Sequence, residues 1–170
     1  MPNESLVVTL RCGGAGWRQC EELRQRFFPA GRNLVPAHIA LFHQLPGEEL
    51  AATKAQARKI SGAVQPFQLR VVGVRSLGRG VAYQVESPEL LLLHRNLSET
   101  WQQWLIPQDC ARFSPHVTLQ NKVTPAVARE TLQYLQSGFA PFPVEALGVE
   151  LWHYRNGPWK PAAFAPFGET

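Results

Sequence analysis

Two histidines carry the acid–base chemistry open to this sequence. His116 stands in Arg112-Phe113-Ser114-Pro115-His116-Val117-Thr118-Leu119, and His38 stands in Pro36-Ala37-His38-Ile39-Ala40-Leu41. Side chains alternate along a strand, so His116 and Thr118 share one face, while Val117 and Leu119 share the other and read as core. An imidazole titrates near neutrality, so two of them in one site allow one to take a proton while the other gives one. The hydroxyl of Thr118 stands beside one imidazole. Ala40, at the matching place after His38, offers no donor.

The segments that hold these histidines repeat. Laid over itself at an offset of 78 residues, the chain sets His38-Ile39-Ala40-Leu41 on His116-Val117-Thr118-Leu119. Further on, Pro66-Phe67 matches Pro141-Phe142 at an offset of 75. Two copies of strand, helix and Pro-Phe strand indicate an internal duplication and not a solenoid, which needs three or more units. The expected architecture is α+β: a single bilobal domain spanning 1–170, with pseudo-repeats of roughly 1–78 and 79–170. In each repeat a strand and its His strand are joined by one helix. The pair then packs as one layer beneath helices, giving two antiparallel sheets around a central cleft with helices on the outside. A pseudo-twofold between the lobes turns both His faces toward that cleft.

Local signals place the elements. Leu6 to Leu10 reads as a buried strand, and Trp17, Cys20, Leu23, Phe27 and Phe28 give a helix over 16–28. The first His strand is expected over 37–44 and a second helix over 47–61, with Gly62 as its stop. Pro66 to Arg75 and Val81 to Glu86 predict an antiparallel pair around Gly78-Arg79-Gly80. Ser87-Pro88 and Thr124-Pro125 each open a helix with a capping hydroxyl and a proline in the first turn. The last 30 residues alternate as two strands around Gly157-Pro158. Gly13-Gly14-Ala15-Gly16 lacks the Lys-Ser/Thr of a phosphate-binding loop and is read as a turn.

Composition sets the outer limits. The chain has 170 residues, 45% of them apolar and 18% charged, in the ordinary range for a globular protein with a real core. A net charge of +4 mildly favours anionic partners. Three cysteines with no Cys-x-x-Cys pair read as reduced residues of an intracellular protein, expected in the cytoplasm. No secretory signal and no membrane span are expected. No His/Cys/Asp cluster has metal-ligand spacing, so neither a metal nor another cofactor is expected. Of the other histidines, alternation puts His43 on the face opposite His38, packing there or capping a strand end. His94 is expected to be partly exposed on its Leu-rich helix, and His153 could line the cleft but is expected to lie off it. Trp152 and Tyr154 can stack a base, although aromatics so spaced are more often core.

The two His segments resemble the paired His-x-Thr/Ser motifs of the two-histidine (2H) phosphoesterase superfamily, which includes the bacterial 2'-5' RNA ligase-like proteins. Arg112 to Leu119 is similar to the second motif and Pro36 to Leu41 to the first, with Ala40 where the family has Thr or Ser. The resemblance implies a bilobal α+β fold with both histidines in the cleft. It also implies metal-independent cleavage of cyclic or 2'-5' phosphodiesters of RNA or nucleotides. In such a reaction His38 and His116 are the proton-transfer groups, each contributing roughly 10²- to 10⁴-fold. Thr118 donates to a non-bridging phosphate oxygen in a charge-assisted bond of roughly 1.5–3 kcal/mol. Arg112, on the loop before its His strand, can reach the same phosphate, and Arg32 is placed similarly in the first half. The expected partners are RNA ends or small cyclic nucleotides, bound by a monomer. The competing reading is a weak or inactive RNA- or nucleotide-binding protein of the same fold, which Ala40 makes credible.

Overall fold

The computed structural model describes residues 4–168. Leu6 to Leu10 are all buried in the middle of strand β1, Ser5–Gly13. Gly14, at φ 89°, turns the chain into helix α1, Ala15–Phe27. Strand β2, Ile39–Pro46, starts one residue after His38, and helix α2 covers Leu50–Gly62. Strands β3, Phe67–Ser76, and β4, Val81–Glu86, form the expected antiparallel hairpin. Helix α3, Pro88–Thr100, opens as its sequence dictates, with Ser87 Oγ accepting from the Leu90 N–H at 3.1 Å and Pro88 in the first turn. Its stripe of Leu90, Leu93 and Leu97 is buried, and Trp101 follows it into the core. A short helix α4, Pro107–Cys110, precedes strand β5, His116–Gln120. Thr124 caps helix α5, Pro125–Ser137, and strands β6, Phe142–Tyr154, and β7, Lys160–Pro166, close the chain.

The seven strands make one antiparallel sheet in the order β2-β1-β6-β3-β4-β5, with β7 also paired to β6. Exchanging β1 with β4, β2 with β5 and β3 with β6 leaves that order unchanged. The two ladders join because β6 is 13 residues long. Its Phe142 to Ala146 pair with β3, and the rest pairs with β1 on one side and β7 on the other.

The histidine strands β2 and β5 are the two ends of this sheet, and the sheet curls until they come within 8 Å of each other, Cα to Cα. An edge strand leaves carbonyls without ladder partners. Here a helix from the opposite half meets one on each edge. Arg24 of α1 donates through Nη1 to the Thr118 carbonyl at 2.8 Å, and His94 of α3 donates through Nε2 to the Leu41 carbonyl at 3.1 Å. Gly80 has to be glycine, since a Cβ there would lie 1.8 Å from the Gln120 carbonyl oxygen at the end of β5. Leu6, Val8, Leu10, Ile39, Leu41, Val117 and Leu119 belong to one continuous core. Among the described residues no helix is long and apolar enough to cross a membrane.

Candidate active site

His38 and His116 are held the same way. Each Nδ1 lies 2.9 Å from the carbonyl oxygen two residues earlier, of Pro36 and Ser114 respectively. A carbonyl only accepts, so each Nδ1 carries the proton and each Nε2 keeps its lone pair for a ligand. Both rings are half-buried, His38 just before β2 and His116 at the start of β5, on edges of the sheet that approach each other. Burial, the largest cause, pushes the proton affinity of His38 down to about 4. The Pro36 carbonyl opposes this, while the Arg24 guanidinium and any charge on His116 or His43 reinforce it. His116 is also lowered by burial, against the pull of the Ser114 carbonyl, with Arg75 and His43 adding to the depression.

Cross-strand register fixes what surrounds each imidazole. Residues directly opposite on an antiparallel pair share a face. His116 therefore stands beside Gln84, which pairs with Gly73, and Thr118 beside Ala82, which pairs with Arg75. Arg75 reaches across to donate to Ser114 Oγ at 2.9 Å. In the first half Ala40 stands beside Thr9, which pairs with Glu150, and the Trp159 ring lies against His38 with centroids 4.7 Å apart. On this floor Arg11 is paired with Glu150 at 2.8 Å and lies over the Phe164 ring.

Thr118 is half-buried, on the His116 face. Arg112 is exposed and lines an open groove with Gln84, Glu86, Leu91 and Ser114, with no hydrogen bond or ion pair among the described residues. Arg32 is exposed in a single 3-10 turn.

Two expectations for the remaining histidines, those for His43 and His94, are corrected. Strand alternation assigned His43 to the face opposite His38. The β1–β2 register shifts twice, however, pairing Thr9 with Ala40 and Val8 with Phe42, so that Leu41 is an extra residue. Leu41 and Phe42 are both buried in the core, the alternation reverses, and His43 falls on the face of His38. The buried Asp109 carboxylate holds it there. It accepts the His43 ring Nδ1–H at 2.8 Å and the backbone N–H groups of His43 and Gln44 at 2.9 and 3.1 Å. His94 is not partly exposed. It is stacked between Phe42 and Phe113, with centroids 4.7 and 3.8 Å away, and its Nε2 donates to the Leu41 carbonyl. His153 pairs with Leu6 of the core face and meets Glu4, so it does not line the cleft.

Sequence reasoning missed Arg24, which is 4% exposed and has no carboxylate partner among the described residues. It donates to the Thr118 carbonyl and to Asn33 Oδ1 at 3.0 Å. Its signal was present: four residues after Cys20, it sits on the apolar stripe of α1. Arg75 could have been found only through register, because nothing local to β3 tells which face meets His116.

Comparison with known proteins agrees with this layout. The family model described as the 2'-5' RNA ligase superfamily matches residues 14–158. No curated protein sequence matches the chain. Among solved structures, TT0787 of Thermus thermophilus is similar with a TM-score of 0.69 at 19% identity, covering 97% of this chain and 98% of that one. Escherichia coli LigT complexed with 3'-AMP gives 0.65 at 16% identity, over 98% and 99% of the two chains. The same protein complexed with phosphate gives 0.64 at 18%, over 99% and 100%. At these identities the solved structures speak for the fold. The family rests on the model that spans most of the sequence, and the chain belongs to the 2'-5' RNA ligase superfamily of two-histidine phosphoesterases.

Proposed function

We propose that this protein hydrolyses 2',3'-cyclic phosphate or 2'-5' phosphodiester bonds of RNA or nucleotides, with His38 and His116 as the proton-transfer groups. The observation that carries this reading is the matched pair of Nδ1-to-carbonyl bonds, which leaves two Nε2 atoms without protein partners among the described residues at the starts of adjoining edge strands. The LigT complexes with phosphate and 3'-AMP support an anionic ligand for this fold. The symmetric strand order supports a single bilobal domain built from two copies of one unit, roughly 1–78 and 79–170. Three free cysteines suit a reducing compartment, and the protein is read as a cytoplasmic monomer acting on RNA ends or small cyclic nucleotides.

The roles divide by proton affinity. His38, held at about 4, is neutral near pH 7 and serves as the base that takes a proton from the attacking water. Oxygen from that water bonds to phosphorus as the P–O bond to one sugar oxygen breaks. His116, less desolvated, takes up a proton when the anionic substrate enters and passes it to the departing oxygen. The product is a phosphomonoester with one free hydroxyl. Thr118 and Arg112 are assigned to the non-bridging oxygens, with Arg75 as a further cation beside His116.

Incubation with a nucleoside 2',3'-cyclic phosphate in EDTA, reading the product isomer, tests this. Turnover to a single 2'- or 3'-phosphate is expected. Binding without turnover would favour the inactive nucleotide-binding reading that Ala40 supports, and loss of activity with EDTA would point to a metal hydrolase.

A further inference from the structure

The hydroxyl that position 40 lacks has a counterpart one strand over. Ala40 pairs directly with Thr9 of β1, which sets their Cβ atoms about 5 Å apart on one face. In the other half the same place is filled with the residue types exchanged, since Thr118 of β5 pairs with Ala82 of β4. Each half therefore presents one threonine and one alanine beside its histidine strand. In the second half the hydroxyl stands on that strand, and in the first half on its neighbour.

The surroundings of Thr9 aim it. Val8 and Leu10 belong to the core, so Thr9 between them faces the cleft side. It is 2% exposed, and its Oγ1 accepts the Trp152 indole N–H at 2.9 Å. An indole nitrogen only donates, so the proton of Thr9 is left for another acceptor. Among the described residues its hydroxyl donates no hydrogen bond. A buried hydroxyl with a spare proton is costly unless something accepts it. A purely structural threonine would account for the bond it accepts, but not for the spare donor or for the exchanged Thr and Ala in the two halves.

We propose that Thr9 is a substrate-binding residue whose hydroxyl donates to a non-bridging oxygen of the phosphate beside His38, as Thr118 does beside His116. The proposal rests on the phosphodiesterase reading of the cleft. Its test is a double-mutant cycle on Thr9→Val and Ala40→Thr. Two quantities are read for each variant: kcat and KM on a nucleoside 2',3'-cyclic phosphate, and the affinity for inorganic phosphate by calorimetry. Thr9→Val is expected to lose about tenfold in kcat/KM and to bind phosphate more weakly, while Thr9→Ser recovers most of both. Ala40→Thr should restore activity in the Thr9→Val background by far more than it adds to the unmodified chain, because one donor then replaces the other. Trp152→Phe, which removes the indole N–H but leaves the hydroxyl, should cost less than Thr9→Val. If valine at position 9 prevents folding, Thr9→Ala is read in the same way. Unchanged kcat/KM and phosphate affinity in Thr9→Val would overturn the proposal. So would the same gain from Ala40→Thr in both backgrounds. Should the unmodified protein bind phosphate and hydrolyse nothing, the activity reading falls and Thr9 is judged on phosphate affinity alone.

Discussion

The two histidine segments share a backbone and differ in their surroundings. In both, the imidazole Nδ1 is fixed by the carbonyl two residues back at 2.9 Å, so the repeated unit delivers the same tautomer twice. His38 then meets the Trp159 ring and a buried arginine, and its proton affinity falls to about 4. His116 meets half-buried Arg75 and exposed Ser114, and its depression is the smaller one. Repetition thus supplies the geometry, and on the proposed reading the unequal desolvation of the two rings would separate base from acid, as environments separate paired titratable groups elsewhere.

The strongest way to break this comparison is to remove either ring. His38→Ala and His116→Ala should each lower kcat/KM by about 10³-fold or more, and the double variant should lose little beyond either single, because the pair works as a unit. A double variant whose loss is the product of the two singles would mean independent roles. Next in size is the hydroxyl asymmetry. Thr118→Ala should cost about tenfold in kcat/KM, about 1.4 kcal/mol of transition-state binding, whereas Ala40→Thr should gain less than about threefold while Thr9 is present. A gain of tenfold or more from Ala40→Thr alone would say that the first half truly lacks a donor.

Smaller effects sharpen the split in proton affinity. The profile of kcat/KM should be a bell displaced to the acid side, rising near pH 4 as His38 frees its lone pair and falling below the ordinary histidine range as His116 loses its proton. Replacing Arg24 by Met removes one of the cations that depress His38, so the rising limb should move to higher pH. Stability follows the same sign. Between pH 6.5 and about 4 the unfolded chain binds a proton at His38 that the folded chain refuses. The stability due to neutral His38 is therefore complete above pH 6.5 and is lost as pH falls toward 4. His38→Asn should show a shallower loss of melting temperature over that window, and an unchanged slope would remove burial as the cause.

Much of the candidate site was legible because its placement is local. The histidines, Thr118 and the core character of Val117 and Leu119 follow from period-two alternation in an unbroken strand, and β5 is unbroken apart from a shift beyond Thr118. The same rule failed on β2, where Leu41 is an inserted residue and His43 changes face. A bulge is set by the partner strand, so a single strand's pattern does not reveal it. The capped starts of α3 and α5 were readable for the opposite reason, since Ser87 and Thr124 bond to N–H groups three residues on. Joining two sheets into one depends on the length of β6 and its three partners, which no local pattern encodes. Arg24, Arg75 and Thr9 were missed because each acquires its meaning from a residue at least 30 positions away.

The central claim is that one phosphate meets two imidazoles with different proton affinities. It is tested most directly by NMR titration of ¹⁵N-labelled histidines with and without a nucleoside 3'-monophosphate. The free protein should show His38 and His116 both with protonated Nδ1, and His38 titrating near 4. On binding, His116 should rise and take a proton at Nε2 while His38 stays neutral. If neither resonance responds to the nucleotide, or if both imidazoles titrate as one exposed histidine does, the pair does not form a site.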